Sequence, residues 1–153
     1  FSSFNIKDFV TTVCTELAGI FKPGQQILYR HLGKEMVLLD PFLFRNVMIN
    51  LLSNAIKFSP ENSIIEVDSE TTNTHILLVI KDNGIGIPDA DKENLFERFF
   101  RGAKVTNVQG TGLVLHIVEK YVELMKGNID YKSELGKGTS FTICFESNIP
   151  DTE

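Results

Sequence analysis

No apolar run in this chain approaches the roughly 20 residues that a membrane-spanning helix needs, and nothing in it reads as a signal peptide. Cysteine is nearly as scarce. Cys14 and Cys144 make no Cys-x-x-Cys pair and no metal-ligand spacing, which excludes a disulfide framework and fits a reducing compartment where both stay free. His31, His75 and His116 are scattered without ligand spacing, so each is read as a structural or surface residue. Positive charge is short as well. A net charge of −5 argues against a broad nucleic-acid surface, which would want excess Lys and Arg. Two common phosphate loops are missing too. The glycines after Asp82 lack the third member of a dinucleotide-binding fingerprint and run into Pro88. No glycine stands five residues before Gly136-Lys137, as a Walker A loop would require. There is no repeat and no low-complexity segment.

What is present has the proportions of one domain: 153 residues with 42% hydrophobic content, enough for one core. A chain that opens on Phe1 is expected to be a fragment of a longer protein. Its most informative stretch runs from Arg45 to Pro60. Asp40 suits a helix N-cap, Pro41 the first helical position, and Pro60 stops further winding. Phe44, Met48, Leu51, Ala55 and Phe58 recur at spacings of three and four, the stripe of a core-facing helix. Asn46, Asn50, Asn54 and Lys57 form a second stripe. Glu and Lys propagate a solvent-facing helix better than Asn does. Asparagines one turn apart, followed by a lysine, suit a surface that holds oxygen atoms and a cation.

The run Ile76-Leu77-Leu78-Val79-Ile80 is short and aliphatic and reads as a buried strand. Asp82 follows it, then Asn83-Gly84-Ile85-Gly86-Ile87-Pro88. This puts a carboxylate beside backbone that can be approached closely or take positive φ. A carboxylate only accepts hydrogen bonds, so it suits an exocyclic amine such as that of adenine. An ordinary Asn-Gly turn is the plainer reading of the same residues.

Taken together these motifs resemble the catalytic ATP-binding domain of sensor histidine kinases, within the wider superfamily that includes gyrase B, MutL and a heat-shock chaperone. Asn50 to Pro60 resembles the N box and Asp82 to Pro88 the first glycine box. Leu95-Phe96-Glu97-Arg98-Phe99-Phe100-Arg101-Gly102 resembles the F box. Gly110-Thr111-Gly112-Leu113 resembles the opening of the second glycine box, and Gly136 to Phe141 the last. Each motif is weak alone. Their order and spacing, from about Asp40 to Phe145, carry the resemblance, which extends over nearly the whole of residues 1–153.

The coarse secondary-structure reading agrees. Phe4-Asn5-Ile6 is expected as a strand, Lys7 to Phe21 as a helix, and Gln26 to Leu32 with Met36 to Leu39 as a hairpin turning at Gly33-Lys34. Ile64 to Ser69 and Thr74 to Ile80 make another strand pair. Asp89 to Leu95 is expected as a short helix and residues 102–109 as a mobile loop. Gly112 to Lys126 is helical, with Gly127 as its C-cap. Asn128 to Lys132 and Thr139 to Glu146 complete a mixed sheet of about five strands. The expected fold is a two-layer α/β sandwich, three helices covering one sheet face; the resemblance implies the same, a Bergerat-type domain.

The resemblance also implies the chemistry. ATP and Mg2+ are the expected cofactors. Magnesium takes oxygen ligands and keeps several waters, so one or two protein ligands suffice. Asn54 would supply one, and Asn50 can reach the same ion directly or through water. Lys57 is a point-charge donor for a phosphate. Phe58 would pack beside the base, Asp82 accept from the adenine amine, and Thr139 complete the adenine end. Gly84, Gly86 and Ile87 would border the base, and Gly138, Phe141 and Phe145 read mainly as turn and core. The lid is placed at about 101–110. Arg101 would stand near the terminal phosphate, with Gly110, Thr111, Gly112 and Leu113 meeting the phosphates at a helix N-terminus.

One residue departs from the pattern. The family usually has Gly-Leu-Gly-Leu where this chain reads Gly112-Leu113-Val114-Leu115, which puts nucleotide affinity or lid closure in question rather than the fold. No phosphoacceptor histidine helix is present. The implied function is γ-phosphoryl transfer to a histidine on a separate domain of the same parent chain, a dimeric kinase. From there the group passes to the receiver domain of a response regulator. Such domains are cytoplasmic, and their parent chains are commonly membrane-anchored. The alternatives are a superfamily ATPase, an anti-sigma serine kinase, or a catalytically weak nucleotide-binding scaffold. The ATPases place a glutamate base one turn before the magnesium asparagine. Here that position is Asn50, which cannot take a proton.

Overall fold

The computed structural model describes residues 2–83, 111–134 and 138–146, with the side chains of 111–116 and 133–134 outside that description. The described elements are β1 (Ser2–Asn5), α1 (Ile6–Leu17), β2 (Gln26–Leu32), β3 (Met36–Leu39), α2 (Pro41–Phe58), β4 (Ile64–Thr71), β5 (His75–Lys81), α3 (Thr111–Leu124), β6 (Gly127–Glu134) and β7 (Gly138–Glu146). The main sheet has five strands in the order β2-β4-β5-β7-β6. Only β2 and β4 run parallel; the other three pairings are antiparallel. The expected mixed sheet and two-layer sandwich are what the chain forms. The expected helix at Asp89 to Leu95 lies outside the described residues.

The layers follow from the strand pattern. Along β4, Ile65, Val67, Ser69 and Thr71 are buried and alternate with more exposed Ile64, Glu66, Asp68 and Glu70. Ile76, Leu78 and Ile80 of β5, with Phe141, Ile143 and Phe145 of β7, continue the buried face. A period of two with one apolar side is what a sheet with one covered face requires. The covering side comes from α1 (Ile6, Val10, Val13), α2 and α3 (Val118, Val122). Phe44 of α2 sits at the centre, with Phe4, Phe9 and Phe145 around it at ring-centroid distances of 6.0, 5.5 and 6.2 Å.

α2 begins as its sequence demands. Asp40 Oδ1 accepts from the Phe42 and Leu43 amides at 2.9 and 3.1 Å, and Pro41 occupies the first turn. Its core stripe is wider than the expected one. Val47, Leu52 and Ile56 are buried along with Phe44, Met48, Leu51 and Ala55, because the helix packs against the sheet and against both flanking helices. Phe58 is only half-buried.

Three local expectations are corrected. Ile6 opens α1 instead of closing β1, since Asn5 caps the helix through its side chain, which accepts from the Asp8 amide at 2.9 Å. β2 and β3 do not form a hairpin. β2 pairs with β4, and β3 pairs with β1 in a separate two-stranded sheet. The turn between them is held by side chains: His31 Nε2 lies 3.1 and 3.0 Å from the Gly33 and Lys34 carbonyls, and Thr71 Oγ1 donates to the Lys34 carbonyl at 2.6 Å. These bonds turn the chain off the main sheet. Gly127 is not the left-handed cap of α3 either. Lys126 takes that conformation, with φ 60°, and Gly127 begins β6 where a Cβ would strike the Phe145 ring and the Cys144 carbonyl.

The two cysteines are free, as their spacing implied. Burial pushes the Cys14 thiol up to about 11, so at neutral pH it stays protonated and a poor nucleophile.

Candidate functional site

The strand that supplies the carboxylate ends at Lys81, and Asp82 lies one residue beyond it. β5 and β7 pair in register from His75 with Glu146 to Lys81 with Ser140. The next pair would be Asp82 with Thr139. There the Asp82 amide donates to the Thr139 carbonyl at 2.9 Å as a ladder should. The return bond is different. The Thr139 amide donates at 3.2 Å to Asp82 Oδ1, a side-chain oxygen. The carboxylate is thus clipped to the sheet end with only 9% of the residue exposed. An ionised carboxylate offers about four acceptor positions, so its chemistry is suited to ligand amine hydrogens as well.

Gly138 makes this clip possible. Its φ is +109°, and a Cβ there would run into the carbonyl of Asp82 and the backbone of Asn83. Sequence reasoning took Gly138 as turn and core. Its constraint is close contact with the backbone of Asp82 and Asn83.

The second component is the asparagine stripe of α2. Asn46 is spent on its own helix, its Nδ2 donating to the Phe42 carbonyl at 2.8 Å. Asn50 and Asn54 are half-buried, and no side-chain hydrogen bond joins either to another described residue. Two amide oxygens one turn apart are hard, neutral donors that suit a magnesium ion better than a soft metal. Lys57 is exposed at the last turn of the helix and Phe58 beside it is half-buried. The described residues hold no His, Cys, Asp or Glu cluster with the geometry of a metal site.

Thr111, Gly112 and Leu113 form the first turn of α3, which packs against α2 and β6. Val114 follows in the same helical turn. Gly84, Gly86, Ile87, Arg101 and Gly110 lie outside the described residues, as does the lid at 101–110.

Sequence reasoning missed two residues entirely. Lys22 and Gln25, in the loop before β2, bond to backbone carbonyls at the end of α2. A lysine and a glutamine around Pro23-Gly24 give no periodic or motif signal; only the fold brings them there.

Comparison with known proteins gives the family and the fold. Residues 39–149 match the family described as histidine kinase-, DNA gyrase B-, and HSP90-like ATPase. The signal transduction histidine-protein kinase ArlS of Staphylococcus aureus is 38% identical over 109 residues, which are 70% of this chain and 24% of ArlS. The chain therefore spans about a quarter of the length of that relative. Among solved structures, the nucleotide-free catalytic domain of histidine kinase ThkA superposes with a TM-score of 0.78 at 27% identity, covering 96% of this chain and 95% of that one. The mycobacterial sensor histidine kinase MprB has the same fold, with a TM-score of 0.83 at 24% identity over 97% of this chain and 100% of that one. With nearly three quarters of its length inside the family match, the chain belongs to the histidine kinase-, DNA gyrase B- and HSP90-like ATPase family, as an ATP-binding domain whose relatives are sensor histidine kinases.

Proposed function

We propose that this chain binds ATP together with Mg2+ and presents the γ-phosphoryl group to a histidine on a separate phosphoacceptor domain of its parent protein. The observation that carries the choice of reaction is Asn50. It stands one turn before Asn54, where a hydrolase of this fold would need a proton-accepting carboxylate. An amide can hold an ion or a water but cannot deprotonate one. Phosphoryl transfer between an ATP oxygen and a histidine nitrogen needs positioning and charge neutralisation more than a base.

Each group then has a task. Asn54 and Asn50 would hold magnesium, whose charge neutralises the triphosphate oxygens. Lys57 offers a further positive charge to the phosphates, and Arg101 is assigned to the terminal one. Asp82 accepts from the adenine amine, fixed by its bond from the Thr139 amide. Phe58 packs beside the base, while Gly84, Gly86 and Ile87 border it. The first turn of α3, Thr111 to Leu113 after Gly110, supplies backbone amides at a positive helix end. The partners in this reading are the phosphoacceptor domain of a dimeric kinase and, downstream, a response regulator receiver domain. The location is the cytoplasm, beneath a membrane anchor where the parent has one.

Incubation with γ-labelled ATP and Mg2+ tests the reading. The chain alone should stay unlabelled, and a histidine-bearing helical domain from its own parent should take label in its presence. Asn54→Ala should abolish that transfer, because no other amide oxygen stands at that point of the helix. Label stably bound to the chain itself, or steady phosphate release without any acceptor, would overturn it.

A further inference from the structure

We propose that Lys22 and Gln25 are positioning residues for the nucleotide. From the loop between α1 and β2 they grip the last turn of α2 and set where Lys57 and Phe58 stand. The inference rests on the reading that those two side chains meet ATP.

The last carbonyls of a helix have no partner inside it. Many helices solve this with a left-handed glycine after the last turn. α2 does not: its C-cap is Ser59, in extended backbone with φ −93° and ψ 148°. Side chains from another element take the carbonyls instead. Lys22 Nζ donates to the carbonyls of Lys57 and Ser59 at 2.7 and 2.6 Å. Gln25 Nε2 donates to those of Ile56 and Ser59 at 3.0 and 3.1 Å. The two grip each other as well, since the Lys22 amide donates to Gln25 Oε1 at 2.8 Å.

The grip is built into the fold and is not a surface accident. Gln25 is 5% exposed. Its loop interlocks with the loop that follows α2: the Asn62 amide donates to the Pro23 carbonyl at 3.0 Å, and the Gln26 amide to the Ser63 carbonyl at 3.1 Å. Gly24, at φ +75°, has no room for a Cβ against Asn62, which itself sits at φ 63°. The Lys22 ammonium also lies at the negative end of the α2 dipole. Released from these bonds, the helix would fray over the turn that carries Lys57 and Phe58. Asn54, one turn back, would be held by its own intrahelical bonds.

A thermodynamic cycle separates this role from plain stability. ATP–Mg2+ affinity is measured by calorimetry on the chain, at a temperature where circular dichroism shows each variant folded. Lys22→Met, which keeps the aliphatic stem, should weaken binding by about fivefold, and Lys22→Arg should restore it to within about twofold. In a background carrying both Lys57→Ala and Phe58→Ala, Lys22→Met should change affinity by less than about twofold, because the two residues it positions are gone. Gln25→Glu, which turns a donor toward four oxygens into an acceptor, should act in the same direction as Lys22→Met and more strongly. A parent chain that binds ATP while Lys22→Met binds it equally well overturns this inference and leaves the function standing. The same loss with and without the Lys57 and Phe58 side chains also overturns it. A parent chain that binds no ATP overturns both.

Discussion

Asp82→Asn should cost ATP binding about 3 kcal/mol, roughly a hundredfold in Kd, with the fold intact. The two side chains have the same shape. One amide oxygen can still accept from the Thr139 amide, as Oδ1 does at 3.2 Å. The other position then carries an NH2 group, which points two donors where a ligand amine also brings donors. A buried donor facing a donor loses the bond and keeps the desolvation cost. Calorimetry with ATP and with a nucleotide lacking the exocyclic amine reads the effect. The wild type should strongly prefer ATP, and the variant should lose that preference. Undiminished preference for ATP in the variant would move the adenine contact away from Asp82.

Gly138→Ala should be the most damaging single methyl in the described chain. Left-handed backbone at φ +109° disfavours any L side chain, at about 1–2 kcal/mol. Here the added Cβ also meets the Asp82 carbonyl and the Asn83 Cα. Backbone cannot step aside as a flexible side chain can, so overpacking adds about another 1–3 kcal/mol. Together these should lower the melting temperature by on the order of 10 °C for a chain of this size. Relief of the clash pushes Asp82 away from Thr139, so residual folded protein should also bind ATP poorly. Thermal melts with and without nucleotide would show both effects. Gly136→Ala serves as the comparison variant. A Gly138→Ala protein as stable as the parent would mean that the β7 start can relax, and the clip would be looser than its geometry indicates.

The α2 boundaries were legible because its cap, its first-turn proline and its terminating proline are all local signals. So were the β4–β5 pair and the asparagine stripe. The β2–β3 relation was not legible. Gly33-Lys34 carries a turn signal, but what decides the partner is His31, with Thr71 from β4, holding the turn, a contact 37 residues apart in sequence. Lys126 taking the left-handed position ahead of Gly127 was hidden for a similar reason: the need is set by Phe145 on a neighbouring strand. The candidate site was proposed from residue types alone, and the contacts that support it were illegible. Asp82 was found from its place after a strand, whereas its bond from Thr139 and the dependence on Gly138 exist only once β5 and β7 lie side by side. Lys22 and Gln25 are the clearest case, because a helix end can be satisfied by any donor that the fold delivers.

Because β2 runs parallel to β4, the chain must leave at Leu32, traverse β3 and all of α2, and return at Ile64 before the two strands can meet. The β4–β5 pair, joined by a three-residue turn, has no such delay. Loop closure of that length is slow relative to hairpin formation, so during folding the β4 margin should stand open until α2 has docked, an order that pulse-labelled amide exchange would read directly. An open margin invites pairing with a second molecule. Glu66, Asp68 and Glu70 lie along it, with Arg30 of β2 arriving to meet Asp68 at 2.9 Å. In the finished protein that ion pair is exposed and adds little to stability. In the unfinished one, the three carboxylates should act as a row of like charge that keeps other copies off until the rightful strand brings the cation.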